Sequence, residues 1–462
     1  MLKIALINPP QSTRYPQPPL GLSMVAAVLE KARYPVTVLD ANALGITLEA
    51  IPANVAGADI VGVTAMTPTI GAAMDIVRKL EVLQPRPVII MGGAHASLLP
   101  EETMAAAPGV DIVVRGEAEE TIIELLNALG NELPRQNVHG ISYRREGKVV
   151  HTPDRTSCVN MDRLPYPAYD LLPWQRYRPH PPHGKKRPFA AIVTSRGCPY
   201  HCAYCSKPVF GNQFRAQSPA RVTDEIAYLK DRFGVNEIAF YDDSFTLDRK
   251  RVLEITEKIV RTGLKISWTC ETRVNLVDKE LLRNMKRAGC YAIAYGIESA
   301  SPEIIRALQK DITPEQAEKA VRESHEAGLQ VTGYFMIGSP GETPESIRQT
   351  IDFARKLKVD FAQFSVTTPF PGTELYEIYA RDKKETIPWE SFVYAGTDNP
   401  TTPVFESDNL SRADLAAWTR RAYRRFYLRP GYVLRRLRRS VSPNEARMNV
   451  KGFRMLLQSI KK

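Results

Sequence analysis

Residues 188–206 read PFAAIVTSRGCPYHCAYCS, an apolar run of strand length that leads directly into three closely spaced cysteines. Cys198, Cys202 and Cys205 make up half of the six cysteines in a chain of 462 residues. In parallel β/α folds, ligands are bound by the loops that follow the carboxyl ends of the strands. The stretch therefore predicts a β-strand followed by a loop that holds a metal or a redox group.

This strand is the first of six similar units. Apolar runs alternate with helix-like stretches, two of which begin with Thr-Pro, a pair that suits a helix N-cap followed by a first-turn proline. We predict a partial (β/α)6 parallel barrel over residues 188–385. Its strands fall in PFAAIVTS (188–195), EIAFYDD (237–243), KISWTCET (265–272), YAIAYGIES (291–299), QVTGYFMIGSPGE (330–342) and FAQFSVTTPFPG (361–372).

An earlier series of the same kind occupies residues 1–135. Each of its five apolar runs is followed by ten or more residues with helix-like periodicity. Continuous apolar strands indicate a parallel sheet covered on both faces, so we predict a flavodoxin-like, doubly wound α/β domain. The runs are KIALINPP (3–10), PVTVLDA (35–41), DIVGVTAM (59–66), PVIIMGG (87–93) and DIVVRGE (111–117).

Four loops that follow these runs are rich in Gly, Pro, Asn and hydroxyl residues. Any one of them alone is most simply a set of turn residues. Because the four loops meet at one edge of one sheet, together they favour a binding site for a large ligand. They comprise residues 8–10, 64–69, 92–97 and 115–119.

Two regions lack the β/α rhythm. Residues 136–187 are proline-rich and predict an irregular connector, and residues 386–462 predict a basic, helical C-terminal region. Residues 420–439 contain nine arginines in twenty positions, and Pro430-Gly431 would break a single long helix there. These arginines would either lie along the barrel with packed alkyl stems or meet an anionic membrane face or an acidic macromolecule. Nucleic acid is the less favoured partner.

Composition limits the class of protein. The net charge of +11 comes from the tail, since residues 411–462 carry 15 basic against 2 acidic residues, whereas residues 1–145 carry 11 against 14. Six cysteines are too few for a disulfide scaffold, and Cys158, Cys270 and Cys290 are expected to be small buried side chains. No run is long enough for a transmembrane segment and the start lacks a secretory signal, so the chain is expected in the cytoplasm.

The cysteine spacing, C-x3-C-x2-C, favours an iron-sulfur cluster over a structural zinc site. A structural zinc site would need a fourth ligand, and His201 is poorly placed to supply one because it adjoins Cys202. Three thiolates from one loop can instead hold three irons of a 4Fe-4S cluster and leave the fourth iron open. An open iron is a reactive position.

CPYHCAYC (198–205) resembles the cluster motif of the radical S-adenosylmethionine (SAM) superfamily. The resemblance implies reductive cleavage of SAM, which gives methionine and a 5'-deoxyadenosyl radical that abstracts hydrogen from an unactivated C–H bond. It also implies SAM contacts from the ends of the barrel strands, although Asp242, Glu271 or Glu298 could instead cap a helix or join an ion pair. The implied contacts are Tyr204, Asp242, Asp243, Thr269, Glu271, Arg273, Glu298, Ser299, Ile337 and Gly338.

A doubly wound domain before such a barrel resembles the cobalamin-binding radical SAM enzymes, over residues 1 to about 430. The resemblance implies cobalamin contacts from the loops and from PPLGL (18–22). The implied contacts are Asn8, Pro9, Leu20, Gly21, Thr64, Met66, Thr67, Gly92, Gly93, His95, Ser97, Arg115, Gly116 and Glu117.

One feature departs from many corrinoid proteins, whose Asp-x-His-x-x-Gly element supplies a lower histidine ligand to cobalt. None of the seven histidines here has an aspartate two positions earlier. We therefore expect methylcobalamin without a histidine lower ligand, and a backbone or corrin contact for His95. Such a cobalt centre suits donation of its methyl group to a carbon radical.

The resemblance implies a C-methyltransferase that uses two SAM molecules per turnover, with an electron donor such as flavodoxin or ferredoxin. Methylthiotransferases are excluded, because residues 1–157 contain no cysteine for their second cluster. Two alternatives stay open: an anaerobic oxidative cyclase or other non-methylating enzyme, and a non-catalytic cobalamin- or redox-responsive binding protein. The substrate is unidentified, and a peptide or protein side chain is favoured.

Overall fold

The computed structural model describes residues 2–11, 13, 15–156, 159–179, 186–383, 388–392, 405–407 and 409–439. The first domain is built on five parallel strands in the order β2-β1-β3-β4-β5, which is the flavodoxin-like order. The predicted fold class is therefore confirmed for this part of the chain. The strands are β1 (Ile4–Asn8), β2 (Val36–Asp40), β3 (Ile60–Thr64), β4 (Val88–Gly92) and β5 (Ile112–Val114).

Alternate residues of β1 show why both faces of this sheet are covered. Ile4 and Leu6 pack in one buried cluster, and Ala5 and Ile7 pack in another on the opposite face. Each fully buried aliphatic side chain contributes roughly 1.5–3 kcal/mol to stability. The helices on the two faces are α1 (Leu20–Lys31), α2 (Ala41–Leu44), α3 (Ile51–Asn54), α4 (Ile70–Leu80), α5 (Ala94–Leu98), α6 (Pro100–Ala106) and α7 (Glu119–Gly130).

The helices after β2 and β4 are shorter than the sequence periodicity indicates. Asp40 ends β2 and its carboxylate already caps α2 by accepting the Ala43 N–H at 3.1 Å. Gly45 then ends that helix in the left-handed conformation, with φ of 68°. Local capping therefore breaks this crossover into short pieces.

The region predicted as an irregular connector contains a β-hairpin that extends the first sheet. Strands β6 (Ile141–Arg145) and β7 (Lys148–His151) continue it in antiparallel fashion beyond β5. Glu146 and Gly147 form the two-residue turn, with φ of 53° and 77°. Two left-handed residues suit a tight hairpin turn.

The second domain is the predicted six-stranded partial barrel, with every strand parallel to its neighbours. Its order is β8-β11-β12-β13-β14-β15, so β8 and β15 form opposite edges of an open barrel. A short antiparallel pair, β9 (Ser195–Arg196) and β10 (Arg215–Ala216), follows β8. The barrel strands are β8 (Phe189–Ile192), β11 (Glu237–Phe240), β12 (Ser267–Arg273), β13 (Cys290–Glu298), β14 (Gln330–Ile337) and β15 (Phe361–Val366).

The barrel helices pack outside this sheet. Thr313 and Thr343 form capping boxes at the two helices predicted to begin with Thr-Pro. The helices are α8 (Pro219–Phe233), α9 (Arg249–Arg261), α10 (Lys279–Arg287), α11 (Pro302–Ala307), α12 (Pro314–Glu326), α13 (Pro344–Lys356) and α14 (Glu374–Lys383).

Alternation along the barrel strands separates a packed outer face from an inner face. In β12, Trp268 and Cys270 lie in the outer core beneath the helices. The intervening Thr269, Glu271 and Arg273 therefore point to the barrel interior. Cys290 is buried as predicted, and Cys158 lies outside the described residues.

The C-terminal region is helical where it is described, in α15 (Arg412–Tyr427) and α16 (Pro430–Arg439). The break at 428–429 agrees with the expected effect of Pro430-Gly431. Tyrosine hydroxyls from these helices bond to the backbone of edge strand β15: Tyr427 Oη accepts from Ala362 N at 3.0 Å and donates to Ala362 O at 2.9 Å. Tyr423 Oη accepts from Phe364 N at 3.3 Å.

These hydroxyls satisfy backbone groups that an edge strand otherwise leaves unpaired. They fix the C-terminal helices to the edge of the barrel opposite β8, the strand that precedes the cysteines. Within the described ranges, no helix combines the length and the hydrophobicity that a membrane span requires.

Candidate functional site

The cysteine loop begins immediately after β9. Gly197 precedes it with φ of 78°, and a Cβ there would lie 2.2 Å from Gln213 O, so only glycine fits. Cys198 and Cys202 are partly buried and Cys205 is exposed. Lys207 holds the loop by donating from Nζ to Cys198 O at 2.8 Å and to the carbonyl of Tyr200.

The thiols suit a cluster better than a single metal ion. In the described part of the chain, no three Cys, His, Asp or Glu side chains converge as ligands of one ion. A 4Fe-4S cluster takes each thiolate on a different iron, so it does not require that convergence. His201, which the sequence offered as a fourth zinc ligand, is exposed.

The side chain of Arg273 contacts the thiol of Cys202. Its Nη1 lies 3.3 Å from Cys202 Sγ, and its guanidinium stacks 3.7 Å from the centre of the Tyr200 ring. It is buried and also donates to the carbonyl of Lys310. A fixed guanidinium beside sulfur is suited to a thiolate ligand.

Tyr204 and Glu298, two of the predicted SAM residues, are brought together by a lysine that sequence reasoning missed. Tyr204 Oη donates to Glu298 Oε1 at 2.9 Å, and Lys310 Nζ donates to both at 2.7 and 2.8 Å. Burial and the Glu298 carboxylate raise the pKa of Tyr204 well above its usual value. Glu298 has the ion-pair role that the sequence left open, at a backbone φ of 64°.

The side chains of Asp242 and Ser299 form hydrogen bonds with other residues of the chain. Asp242 accepts from Thr194 N and Thr194 Oγ1, both at 2.6 Å, and from Ser195 Oγ at 2.8 Å. These bonds tie the end of β11 to the entrance of the cysteine loop. Ser299 bonds to the Thr350 hydroxyl at 3.1 Å.

Glu271 faces the interior in a mainly neutral environment. It accepts from Tyr334 Oη at 2.7 Å, and burial raises its pKa. Thr332, two residues before Tyr334 on the same inner face, is 3% exposed, and its hydroxyl has no hydrogen-bond partner among the described residues. An unpartnered buried hydroxyl suits contact with a bound ligand. The interior therefore fits a polar cofactor.

The other predicted SAM residues differ in their surroundings. Asp243 is exposed and accepts from the Gly197 N–H. Thr269 is buried on the inner face, and Ile337 is buried in the outer core. A Cβ on Gly338 would lie 2.7 Å from Leu415 on α15, so this glycine serves close packing.

The predicted cobalamin residues lie at the carboxyl ends of the first sheet or at the start of α1. Asn8 donates to Asp40 at 2.8 Å, and Tyr177 donates to the same carboxylate at 2.7 Å. Leu20 begins α1 and packs against apolar residues inside the barrel. The remaining predicted positions around this edge are Pro9, Gly21, Thr64, Met66, Thr67, Gly92, Gly93, Ser97 and Gly116.

Two contacts close these loops on one another. A Cβ on Gly93 would lie 2.6 Å from Ala65 O, so the absence of a side chain permits close approach of the loops after β3 and β4. Ser97 Oγ accepts from Gly116 N at 3.0 Å and links the loops after β4 and β5.

His95 is buried rather than free at the edge. Its Nδ1 lies 3.1 Å from Thr67 Oγ1, and its ring meets Trp389 edge-on with centroids 4.7 Å apart. Burial lowers the pKa of His95 to about 4, so the imidazole is neutral near pH 7. Its Nε2 has no hydrogen-bond partner among the described residues.

The side chains of Arg115 and Glu117 are both occupied by protein partners. Arg115 donates to Ser142 at 2.7 Å and to Asp154 at 2.8 Å, and so anchors the hairpin. Glu117 accepts from Arg196 at 2.5 Å and also pairs with Arg215.

Arg196 connects the first domain to the cysteine loop. It lies two residues before Cys198, and its second Nη donates to Glu119 at 2.6 Å. Burial opposes its charge, but Glu119 and Glu117 outweigh this and raise the pKa of Arg196. A second interdomain bond joins Tyr241 Oη to Gln17 Oε1 at 2.9 Å. The segment that leads into the cysteine loop is therefore bonded directly to Glu117, a predicted cobalamin residue.

Comparisons with known proteins agree with this arrangement. The Radical SAM superfamily model matches residues 192–354, and the B12 binding domain model matches residues 11–126. An uncharacterized methyltransferase of Pyrococcus horikoshii, PH0819, is 37% identical over 445 residues, which cover 94% of each chain. The chain belongs to the cobalamin-binding radical SAM methyltransferase family.

A cyclase and a methyltransferase of solved structure are also similar to this chain. The anaerobic magnesium-protoporphyrin IX monomethyl ester cyclase of Rubrivivax gelatinosus is 30% identical over 381 residues, covering 81% of this chain and 67% of the cyclase. Among solved structures, the radical SAM methyltransferase TsrM of Kitasatospora setae, with cobalamin and a [4Fe-4S] cluster bound, superposes with a TM-score of 0.69. TsrM is 21% identical, with 83% of this chain and 75% of TsrM covered, so this likeness concerns the fold.

Proposed function

We propose that this cobalamin-binding radical SAM methyltransferase transfers a methyl group to an unactivated carbon of its substrate. The observation that carries the proposal is the contact of Arg196 with Glu117 and Glu119, because it joins the cysteine loop to the cobalamin-domain edge. When bound, the cluster, SAM and cobalamin supply the electron, the hydrogen abstraction and the methyl group. The protein's own residues hold these groups, orient the substrate and exclude water.

Each group has candidate residues. Cys198, Cys202 and Cys205 would ligate the cluster, with Arg273 donating to the sulfur of Cys202. SAM would contact residues of the barrel interior and of the strand ends, and Ile337, whose side chain lies in the outer core, would contribute its backbone. The candidate residues are Tyr204, Asp242, Asp243, Thr269, Glu271, Arg273, Glu298, Ser299, Ile337 and Gly338. Of these, Asp242 and Ser299 would act by positioning the loop ends, since the protein already occupies their side chains.

Cobalamin would lie over the edge formed by the loops after β1, β3, β4 and β5, without a histidine ligand below cobalt. The sequence supports this, because none of the seven histidines has an aspartate two positions earlier. Arg115 and Glu117 would support the edge through their protein partners rather than by their side-chain tips.

The cyclase relative favours a second candidate function, oxidative ring formation without methyl transfer. It shares 30% identity over most of this chain. We also propose a flavodoxin or ferredoxin as electron donor, a cytoplasmic location, and a peptide or protein side chain as the substrate that enters between the two domains.

Anaerobic turnover distinguishes these functions. The reconstituted enzyme, SAM, a reductant and candidate peptides should yield 5'-deoxyadenosine, S-adenosylhomocysteine and a substrate heavier by one methyl group. The variant Cys202→Ser should lose all three products, and Cys270→Ala, which changes a thiol of the outer core, should retain them. Deoxyadenosine with a dehydrogenated or cyclised product would favour the cyclase, and no deoxyadenosine with any reductant would favour a binding protein.

A further inference from the structure

The last two described helices carry an exposed surface that is both apolar and cationic. Ten large hydrophobic side chains are exposed in the described ranges, and three of them fall within seven consecutive positions. They are Leu428, Val433 and Leu434, which are 40%, 38% and 50% exposed. Single exposed apolar residues are ordinary, whereas such a group marks an interaction surface.

The same helices concentrate positive charge. Residues 412–439 contain ten arginines and one aspartate, a net charge of +9. Arg421 and Arg424 are exposed on α15, on the turns that lead to Leu428. Burial, together with repulsion from Arg435 and Arg355, lowers the pKa of Arg429 to about 10. This repulsion indicates a positive potential that an anionic partner would relieve.

The surface is held rigidly against the barrel. Tyr423 and Tyr427 of α15 bond to the backbone of β15, as described above. In addition, Tyr432 Oη donates to Asp360 O at 3.0 Å, and Arg425 pairs with Asp352 on α13 at 3.2 Å. The guanidinium of Arg436 stacks 4.5 Å from the centre of the Phe361 ring. Inward-facing groups thus fix the helices, and the outward-facing groups have a defined orientation.

We propose that the α15–α16 surface, formed by Arg421, Arg424, Leu428, Val433 and Leu434, docks on an anionic lipid bilayer. Apolar side chains flanked by arginines match the headgroup boundary, where the apolar groups enter the interface and the guanidinium groups meet lipid phosphates. A nucleic acid would satisfy the arginines but would give the exposed Leu and Val no apolar partner. The docking does not depend on methyl transfer.

Vesicle sedimentation of the full chain tests the proposal. The protein should pellet with phosphatidylcholine vesicles that contain about one third phosphatidylglycerol, and not with pure phosphatidylcholine. Added salt should weaken the binding. The double variant Val433→Asp/Leu434→Asp and the double variant Arg421→Glu/Arg424→Glu should each lower the vesicle partition coefficient by about tenfold or more.

Val82→Asp/Leu133→Asp is the matched control, because it introduces the same two charges at exposed apolar residues of the first domain, which are 77% and 55% exposed. It should bind vesicles as the unmodified chain does, and all variants should keep the thermal transition of the unmodified chain. Absence of vesicle binding by the unmodified chain, or unchanged binding by both double variants, would overturn the proposal. Binding of duplex DNA by the unmodified chain, lost in Arg421→Glu/Arg424→Glu and without any vesicle binding, would indicate a nucleic-acid partner instead.

Discussion

Lys310 Nζ lies 2.8 Å from Glu298 Oε1 in the interior of the barrel, and both side chains are more than nine-tenths buried. The same ammonium group donates to Tyr204 in the cysteine loop. Lys310, in the loop before α12, thus connects the end of β13 with the cysteine loop. We therefore expect its charge to affect both the stability of the fold and the geometry of the predicted SAM site.

Replacement of Lys310 by methionine should leave the Glu298 carboxylate buried without its cation. Loss of one partner of a buried pair costs about 3–5 kcal/mol. Urea unfolding should show this loss, and equilibrium binding should show weaker affinity for SAM. The double variant Lys310→Met/Glu298→Gln removes the unpaired charge and should recover most of the stability but not the SAM affinity. Equal SAM affinity in the unmodified and Lys310→Met proteins would contradict a positioning role for this residue.

Replacement of Arg196 by methionine should loosen the link between the two domains. Glu117 and Glu119 would lose a buried partner, at a cost of about 3 kcal/mol or more. Calorimetry should show the thermal transition moving down and separating into two. Arg232→Met is the control, since Arg232 pairs with Asp170 at the surface and its loss should leave the thermal transition almost unchanged. Similar shifts for both variants would count against the interdomain role of Arg196.

Glu342 should make stability depend on pH. Burial raises its pKa from 4.5 to about 7, although the N–H groups of Gly338 and Ser339 donate to it. The folded state therefore binds more protons than the unfolded state between these values, and this contribution to stability is lost as pH rises from about 4.5 to about 7. Glu342→Gln should remove the loss and stabilise the protein at pH 8 by up to about 3 kcal/mol. The free energy of unfolding in urea should be measured against pH for the unmodified chain and for Glu342→Gln. If the two curves are parallel, Glu342 does not cause the pH dependence.

Removal of the Tyr427 hydroxyl should lower the stability of the fold, because backbone groups of the edge strand β15 lose their hydrogen-bond partner. Tyr427→Phe leaves the N–H and the carbonyl of Ala362 without their partner, a loss of about 1–3 kcal/mol. Hydrogen exchange at Ala362 should become faster. Tyr34→Phe, which removes an exposed bond to Asn127, should change stability by less than about 0.5 kcal/mol. Unchanged exchange at Ala362 would mean that the hydroxyl does not protect the edge.

The parallel strands were predictable because each is a buried run bounded by turn residues, and the first and last barrel strands, at Phe189 and Phe361, fall within predicted runs. The hairpin at 141–151 was missed among polar residues, although Glu146-Gly147 between two short β-rich runs is a turn signal that could have revealed it.

The grouping of Cys198, Cys202 and Cys205 in one loop could be predicted because they lie within eight positions of the sequence. Their role as cluster ligands stays a prediction. The partners that shape their surroundings could not be predicted. Glu117 and Arg196 are 79 residues apart, and Tyr204 and Lys310 are 106 apart. Such pairs depend on the tertiary fold, and a single lysine or glutamate in a sequence reads equally well as a solvated surface charge.

Strand β8, which precedes the cysteine loop, and strand β15, whose backbone bonds to tyrosine hydroxyls, stand at opposite edges of one open sheet. The β15 edge is covered by side chains from helices rather than by a seventh strand. Because tyrosine hydroxyls take up outward backbone groups of β15, these groups are not available to pair with a strand of another molecule. The open barrel is thereby protected at this edge against edge-to-edge aggregation.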